Sequence, residues 1–157
     1  MTGFRRGVRL GIDVGKARVG VARCDPDGML AVPVETVARG DMSITRITEL
    51  AREYGAMEIV VGLPLNMRGD DTLSTTDARD FAAALGEALP DVGIRLVDER
   101  LSTVSAHSAL RQSGRSQKQS RGIVDQVAAV VFLQHAVDTE KRMGAAPGEA
   151  LPQRKEP

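Results

Sequence analysis

The segment Val8–Ala22, with the sequence VRLGIDVGKARVGVA, constrains the fold more than any other part of the chain. Val8, Leu10 and Ile12 stand at alternate positions, which is the pattern of a β-strand with one buried face. That strand runs directly into Asp13. A carboxylate at the end of a buried strand is costly unless it is paired or bound to a cation. We therefore expect the rest of the chain to bring other groups to Asp13.

The composition is that of an ordinary globular protein. The chain has 157 residues, of which 42% are hydrophobic and 27% are charged, and this length predicts one domain with a full hydrophobic core. No apolar run is long enough for a membrane span or a secretory signal, which predicts a cytoplasmic location. A single cysteine, Cys24, excludes an internal disulfide framework and leaves an intermolecular bridge open.

Charge is balanced over the whole chain but sorted along it. The 21 basic and 21 acidic residues cancel, which argues against a protein that coats nucleic acid through bulk positive charge. The first 23 residues are nevertheless rich in arginine and lysine around Asp13, and residues 111–121 carry only basic charges, at Arg111, Arg115, Lys118 and Arg121. This sorting predicts a basic face beside an acidic site, although scattered surface charge would give the same counts.

The sequence patterns predict an α/β fold with a five-stranded mixed sheet and helices on both faces. Three strands come first, over about residues 8–13, 18–24 and 29–37, and the turn Asp25–Gly28 favours an antiparallel meander. A helix, a strand, a helix, a strand and two helices follow, over about residues 41–54, 57–62, 74–89, 93–98, 101–113 and 122–140, with an exposed loop at 114–120. Residues 1–140 are predicted to form one domain, and residues 141–157, which hold three prolines, a flexible tail.

Three acids stand at the ends of apolar elements. Asp13 follows the first strand, Glu99 follows the last strand, and Asp125 lies near the start of the last helix. Ligand sites form beyond the carboxyl ends of parallel strands, and carboxylates that converge there repel one another unless a cation lies between them. Mg²⁺ prefers such oxygen ligands, and two such ions can hydrolyse a phosphodiester. The alternative is that these acids cap helices or pair with arginine, as Glu99 can with Arg100.

Four segments of the chain resemble the RuvX/YqgF family, whose members have a ribonuclease H-like fold. They are GIDVGKARVGVA at 11–22, VVGLPLNMRGDDT at 60–72, VDERLST at 97–103 and SRGIVDQVAA at 120–129. Each segment alone is a weak signal. All four in the same order, with compatible spacing across residues 8–138, form a specific one. The chain is therefore identified as a member of this family, with a ribonuclease H-like nuclease domain as the expected fold.

The resemblance implies a Mg²⁺- or Mn²⁺-dependent nuclease that acts on structured nucleic acid. By motif match, Asp13, Glu99 and Asp125 are its catalytic residues and metal ligands. The family implies two different substrates, a four-way DNA (Holliday) junction and the precursor of 16S ribosomal RNA. Proteins of this fold often carry a fourth acid near the last one, whereas Gln126 follows Asp125 here. Whether one or two ions bind therefore stays open.

Further polar residues are candidates for binding nucleic acid. Lys16 and Arg18 follow the first strand and can hold phosphates beside a metal, although solvated turn charge explains them equally well. Lysine and arginine supply sequence-independent affinity for phosphates. The aromatic content of 3% argues against stacking platforms for single strands, which favours a protein that recognises the shape of a duplex or junction. The remaining candidates are Asn66, Arg68, Arg111, Arg115, Lys118 and Arg121.

Two other classes of function stay open at this stage. A nucleic-acid-binding protein without turnover would keep the same fold and the same three acids. The turn Asp13-Val14-Gly15 also occurs in phosphate-binding modules of the actin and sugar-kinase superfamily, but those proteins enclose a nucleotide between two such lobes and this chain has one. A homodimer is attractive because a junction presents two symmetric strands. The sequence does not distinguish DNA from RNA as the substrate, or an endonuclease from an exonuclease.

Overall fold

The computed structural model describes residues 4–99 and 117–151, and for residues 117–125 the backbone alone. Six strands and three helices lie within these residues. The strands are β1 Arg9–Val14, β2 Arg18–Cys24, β3 Ala31–Ala38, β4 Glu58–Leu63, β5 Gly93–Asp98 and β6 Glu149–Ala150. The helices are α1 Ser43–Tyr54, α2 Leu73–Ala88 and α3 Gln117–Met143.

The strands form one mixed sheet in the order β3-β2-β1-β4-β5-β6. β1, β2 and β3 make an antiparallel meander, and β4 and β5 are added to β1 in parallel. This arrangement confirms the predicted fold class. The structure adds a sixth strand to the predicted five, because Glu149–Ala150 pairs antiparallel with β5. This short strand lies within the segment predicted as a tail, where two residues give no periodic signal.

Helices cover both faces of the sheet, as predicted. α1 and α2 cover one face, where Ile47 and Leu85 join a core with Leu10 and Ile12 of β1. α3 covers the other face, where Phe132 packs with residues such as Val60 of β4. The alternation of side chains along β1 therefore assigns its odd-numbered residues to the α3 face.

The helix boundaries follow local chemistry that the hydrophobic pattern indicates only roughly. α2 begins after Thr72, whose hydroxyl accepts a hydrogen bond from the Thr75 N–H while the Thr75 side chain bonds back to the Thr72 N–H, a capping box. α3 begins at Gln117, earlier than predicted, because Gln-Lys-Gln-Ser has good helix formers but no apolar residue to mark the period. The helix predicted at residues 101–113 lies outside the described residues. No helix in the described part of the chain can span a membrane.

A buried ion network joins α3 to the amino end of β1. Arg9, only 1% exposed, holds Glu140, which is 2% exposed, at 3.0 Å from its Nη2. Arg5 bonds the same carboxylate at 2.8 Å and also reaches Glu58 at 3.0 Å. Arg9 and Glu140 are buried charges, which need such pairing. The network therefore fixes the C-terminal half of α3 at the edge of the sheet opposite to the end of β1 that carries Asp13.

Candidate active site

Asp13 lies at the carboxyl end of β1 on the face covered by α3. Two residues earlier on this face, a side chain at Gly11 would collide with α3, coming within 2.9 Å of Leu133 Cβ. Asp13 pairs with Gly20 of β2. On its other side Ile12 pairs with Val61 of β4, so Asp13 lies beside Gly62. The carboxylate is therefore flanked by a glycine on each neighbouring strand.

The carboxylate of Glu99 lies over Gly62. Glu99 directly follows β5, and its backbone N–H donates to the Leu63 carbonyl oxygen at 3.2 Å. The residue is 7% exposed, and a methyl group at Gly62 would collide with its Oε2. Neighbouring strands are about 4.8 Å apart. The structure therefore brings Asp13 and Glu99 together at one edge of the sheet.

Asp125 lies on α3, four residues before Ala129, whose carbonyl oxygen is 3.0 Å from a Cβ placed at Gly11. Its side chain lies outside the part of the chain that the structure describes. The next residue, Gln126, donates from Nε2 to Thr36 Oγ1 at 2.6 Å. Thr36 of β3 pairs with Gly20, which in turn pairs with Asp13. The bond therefore fixes the turn of α3 that carries Asp125 over the same face of the sheet as Asp13.

The donor set fits a hard divalent cation better than zinc. Carboxylate oxygens of Asp13 and Glu99 are ligands that Mg²⁺ and Mn²⁺ accept. Among the side chains that the structure describes, no three acids, histidines or cysteines form a metal-binding group. Asp125 is not among those side chains, so the third ligand stays a prediction.

Those predicted phosphate-binding residues that the structure describes lie at the same edge of the sheet as Asp13 and Glu99. Lys16 is exposed in the turn between β1 and β2, and Arg18 is half-buried at the start of β2. Asn66 and Arg68 are exposed in the loop after β4. The Asn66 side chain also shapes that loop, because its Oδ1 accepts from the N–H groups of Arg68 and Asp70, each at 2.9 Å.

The other basic candidates lie beyond what the structure describes in full. Arg111 and Arg115 fall outside the described residues. Lys118 and Arg121 fall on α3, where only the backbone is described. The basic surface predicted from residues 111–121 therefore stays a prediction.

Sequence reasoning missed two residues beside the candidate site. Arg39 follows β3, where the sequence shows only the end of a strand pattern, and Asp77 lies on α2. Arg39 bonds both the Gly15 carbonyl oxygen and the Asp77 carboxylate. Residues so far apart in the sequence meet only through tertiary structure, and no motif marks either of them.

The comparison with solved structures defines the class of fold. This fold is similar to that of Thermus thermophilus RuvC, solved in complex with a Holliday junction substrate, with a TM-score of 0.56 and 19% identity over 92% of this chain and 99% of that chain. A second structure of that RuvC gives a TM-score of 0.55 at 18% identity. The fold is therefore RuvC-like, within the ribonuclease H-like class.

A family model for RuvX, described as a Holliday junction resolvase, matches residues 7–139. The chain belongs to the RuvX family, as the four sequence segments implied. Two relatives carry the name "Putative pre-16S rRNA nuclease". One, from Clavibacter sepedonicus, is 53% identical over 95% of this chain and 94% of its own length. The other, from Leifsonia xyli subsp. xyli, is 55% identical over 94% and 96%. The protein is therefore a nuclease, a hydrolase that acts on nucleic acid.

Proposed function

We propose that this protein is a divalent-metal-dependent nuclease in which Asp13, Glu99 and Asp125 hold the metal. The observation that carries the proposal is the placement of the Glu99 carboxylate over Gly62, beside Asp13. Carboxylates that converge on one site repel each other, and a cation between them removes the repulsion. The presence of oxygen donors favours Mg²⁺ or Mn²⁺. The three acids suffice for one ion, and a second would depend further on water and phosphate oxygens.

The bound metal would activate water and stabilise the leaving oxygen of the scissile phosphodiester. The protein's own residues supply the rest of the mechanism. Asp13 on β1 and Glu99 after β5, which lie on either side of β4, would hold the reacting groups in a fixed orientation. Lys16 and Arg18 lie beyond the end of β1, and we assign them to the flanking phosphates, where their charge offsets that of the backbone. Asn66 and Arg68 line the same edge from the loop after β4.

The first substrate candidate is the precursor of 16S ribosomal RNA. Relatives that share about half of their residues with this chain over nearly its full length carry that name. The second candidate is a four-way DNA junction, which is favoured by the description of the family model and by the substrate of the RuvC complex. The same chemistry serves both substrates. We infer a cytoplasmic location for either activity.

The decisive experiment compares cleavage of a labelled ribosomal RNA precursor fragment with cleavage of a synthetic four-way DNA junction. Each substrate is incubated with Mg²⁺, with Mn²⁺ and with EDTA. The natural protein is compared with Asp13→Asn and Glu99→Gln. Asp91→Asn is the matched control, since Asp91 is an exposed residue paired with Arg52. We expect metal-dependent cleavage of the RNA that both site variants lose and the control keeps.

Three results would lead to other conclusions. Cleavage of the junction alone would choose the second candidate. Cleavage by Asp13→Asn at the natural rate would reject the proposed metal site. Binding that persists at full affinity in EDTA, without cleavage in either metal, would identify a binding protein that keeps the fold without turnover.

Assembly is a separate part of the proposal. A four-way junction presents two symmetric strands, and a two-fold homodimer would place one site at each. We therefore expect a dimer if the junction is the substrate. Light scattering at the concentration of the cleavage assay tests this expectation, and a fully active monomer would reject it.

A further inference from the structure

The turn that follows Asp13 is held in place by one arginine. Arg39 directly follows β3. Its backbone N–H donates to the Ala17 carbonyl oxygen at 3.0 Å, and its Nη1 donates to the Gly15 carbonyl oxygen at 2.9 Å. Lys16 lies between these two acceptors. Arg39 therefore bonds the backbone on both sides of Lys16, in addition to the turn's own hydrogen bond from the Gly15 N–H to the Arg18 carbonyl oxygen.

The guanidinium of Arg39 is itself fixed by α2. Its Nη1 and Nη2 donate to the two carboxylate oxygens of Asp77 at 2.9 and 2.7 Å, and it lies 5.0 Å from the centre of the Phe81 ring. The side chains of Arg39 and Asp77 are only 25% and 39% exposed. A forked, stacked arginine of this kind is rigid, and a lysine does not reproduce its geometry.

Asp77 lies within electrostatic reach of two cations. The hydrogen bonds from Arg39 lower the pKa of the Asp77 carboxyl most strongly, and the charge of Lys16 lowers it further. In the structure Arg39 bonds both oxygens of this carboxylate, while Lys16 remains exposed. Lys16 is thus the other cation whose charge acts on Asp77, and we expect it to be the replacement partner when Arg39 is removed.

We propose that Arg39 is a positioning residue for nucleic-acid binding, which occupies Asp77 and so keeps Lys16 available for a substrate phosphate. The inference rests on the proposed function, in which Lys16 contacts a phosphate. Its physical basis is competition, because an unneutralised carboxylate beside Lys16 would attract the ammonium group and repel the phosphate. The Arg39–Asp77 pair thus acts on the substrate through Lys16 without touching it.

Affinity measured without cleavage tests the proposal. Fluorescence anisotropy in EDTA gives the dissociation constants for the labelled RNA fragment and for the DNA junction over a series of salt concentrations. We expect Lys16→Ala to weaken binding about fivefold, equivalent to about 1 kcal/mol, and to reduce the salt slope by about 1. Arg39→Gln should produce the same two changes, because the Asp77 carboxylate would then be free to bind the Lys16 ammonium group.

The second half of the test separates competition from a structural role. Asp77→Asn also removes the Arg39–Asp77 ion pair, but a neutral amide does not capture Lys16, so its affinity should stay within about twofold of the natural value. The double variant Arg39→Gln/Asp77→Asn should recover most of the affinity that Arg39→Gln loses. In a Lys16→Ala background, Arg39→Gln should have no further effect. Arg52→Gln is the matched control, because it breaks another forked pair, with Asp91.

Equal weakening by Arg39→Gln and Asp77→Asn, without recovery in the double variant, would overturn the proposal in favour of a purely structural ion pair. An unchanged affinity of Lys16→Ala would also overturn it. In that case metal-dependent cleavage that is lost in Asp13→Asn would leave the proposed function intact. If the natural protein binds neither nucleic acid and cleaves neither, the proposed function fails as well.

Discussion

At the scale of single residues, Gly62 determines how closely the candidate metal ligands approach each other. A side chain there would collide with Glu99 Oε2 and come within 2.8 Å of the Phe132 ring. Its backbone is not in the left-handed region, so the requirement is for space and not for a glycine conformation. Glycine at this position lets the Glu99 carboxylate lie over β4, next to Asp13.

We predict that Gly62→Ala lowers the free energy of unfolding by about 1–3 kcal/mol and lowers the cleavage rate, because Glu99 or α3 must move. Gly86→Ala is the matched control. A Cβ at Gly86, in the last turn of α2, would meet only Ile94 Cγ1 at an ordinary 3.6 Å, and alanine favours the helix by up to about 1 kcal/mol. Urea denaturation and the cleavage assay provide the measurements. Equal stability and activity of the two variants would contradict this account of Gly62.

Glu140 is a single residue whose buried charge ties the stability of the fold to pH. Burial raises the pKa of its carboxyl, but hydrogen bonds from Arg5 and the charge of Arg9 outweigh that effect and lower the pKa below its ordinary value of 4.5. A lowered pKa in the folded state means that the charged carboxylate stabilises the fold above the ordinary carboxyl range. That stabilisation is lost as the pH falls through the lowered pKa.

We predict that Glu140→Gln costs about 3–5 kcal/mol at neutral pH, because it leaves Arg9 buried without its counter-charge. Below pH 4.5 the natural protein should lose stability faster than the variant does. Chemical denaturation across a pH series measures both effects. Asp91→Asn, which breaks an exposed pair with Arg52, should cost less than about 1 kcal/mol. A similar cost for the two variants would show that the buried network contributes no more than a surface pair.

At the scale of elements, the sequence predicts those that a run of apolar residues and the turn residues around it mark. β4 and β5 are short apolar runs bounded by turn residues, and both were predicted to within a residue or two. β6 was not predicted, because its pairing depends on the bend at Gly148 and on the Leu151 N–H, which donates to the Ile94 carbonyl oxygen at 2.9 Å. Such contacts are set by tertiary structure and leave no local pattern.

The same limit applies to the candidate site. That Asp13 and Glu99 share one edge follows from strand direction alone, and it was predicted. The bond from Gln126 to Thr36 could not be predicted, because it joins α3 to β3 across 90 residues of sequence. The sequence shows Gln126 only as a neighbour of Asp125 that is not the further acid found near this position in many proteins of this fold.

We predict that Gly148→Ala detaches β6 from β5. Gly148 has a φ of +80°, and a Cβ there would collide with the Leu96 carbonyl oxygen, so both backbone and space oppose a side chain. The variant should lose about 1–3 kcal/mol of stability, and the Leu151 amide should lose its protection from hydrogen exchange. Gly40→Ala is the control, since a Cβ at Gly40 meets nothing within 4 Å. Unchanged protection of Leu151 in Gly148→Ala would reject this role for Gly148.

At the scale of the whole molecule, the fold separates stabilising charge from functional charge. The ion network of Arg5, Arg9, Glu58 and Glu140, in which all but Arg5 are buried, lies at the amino end of β1, and the candidate metal ligands lie beyond its carboxyl end. The former is already neutralised within the described protein. Under the proposed function, the candidate ligands depend instead on a bound cation to offset the repulsion between their carboxylates.

We predict that Mg²⁺ or Mn²⁺ stabilises the whole molecule through this site. At a metal concentration 100 times the dissociation constant, the gain is about 2.7 kcal/mol, because only the folded state binds. Asp13→Asn should lose this gain and, in EDTA, should be at least as stable as the natural protein, since it removes one repelling charge. Thermal unfolding with and without the metal measures both effects. Asp91→Asn should keep the natural response, and an equal response of Asp13→Asn would exclude this site.

One helix connects the two ends of the molecule. α3 carries Asp125 near its start and Glu140 near its end, which at 1.5 Å per residue are about 22 Å apart. A library of single substitutions, scored separately for cellular abundance and for growth, would therefore divide this helix near Ala129. Changes on the later side would remove the protein from the cell. Changes on the earlier side would leave a full complement of protein that no longer does its work.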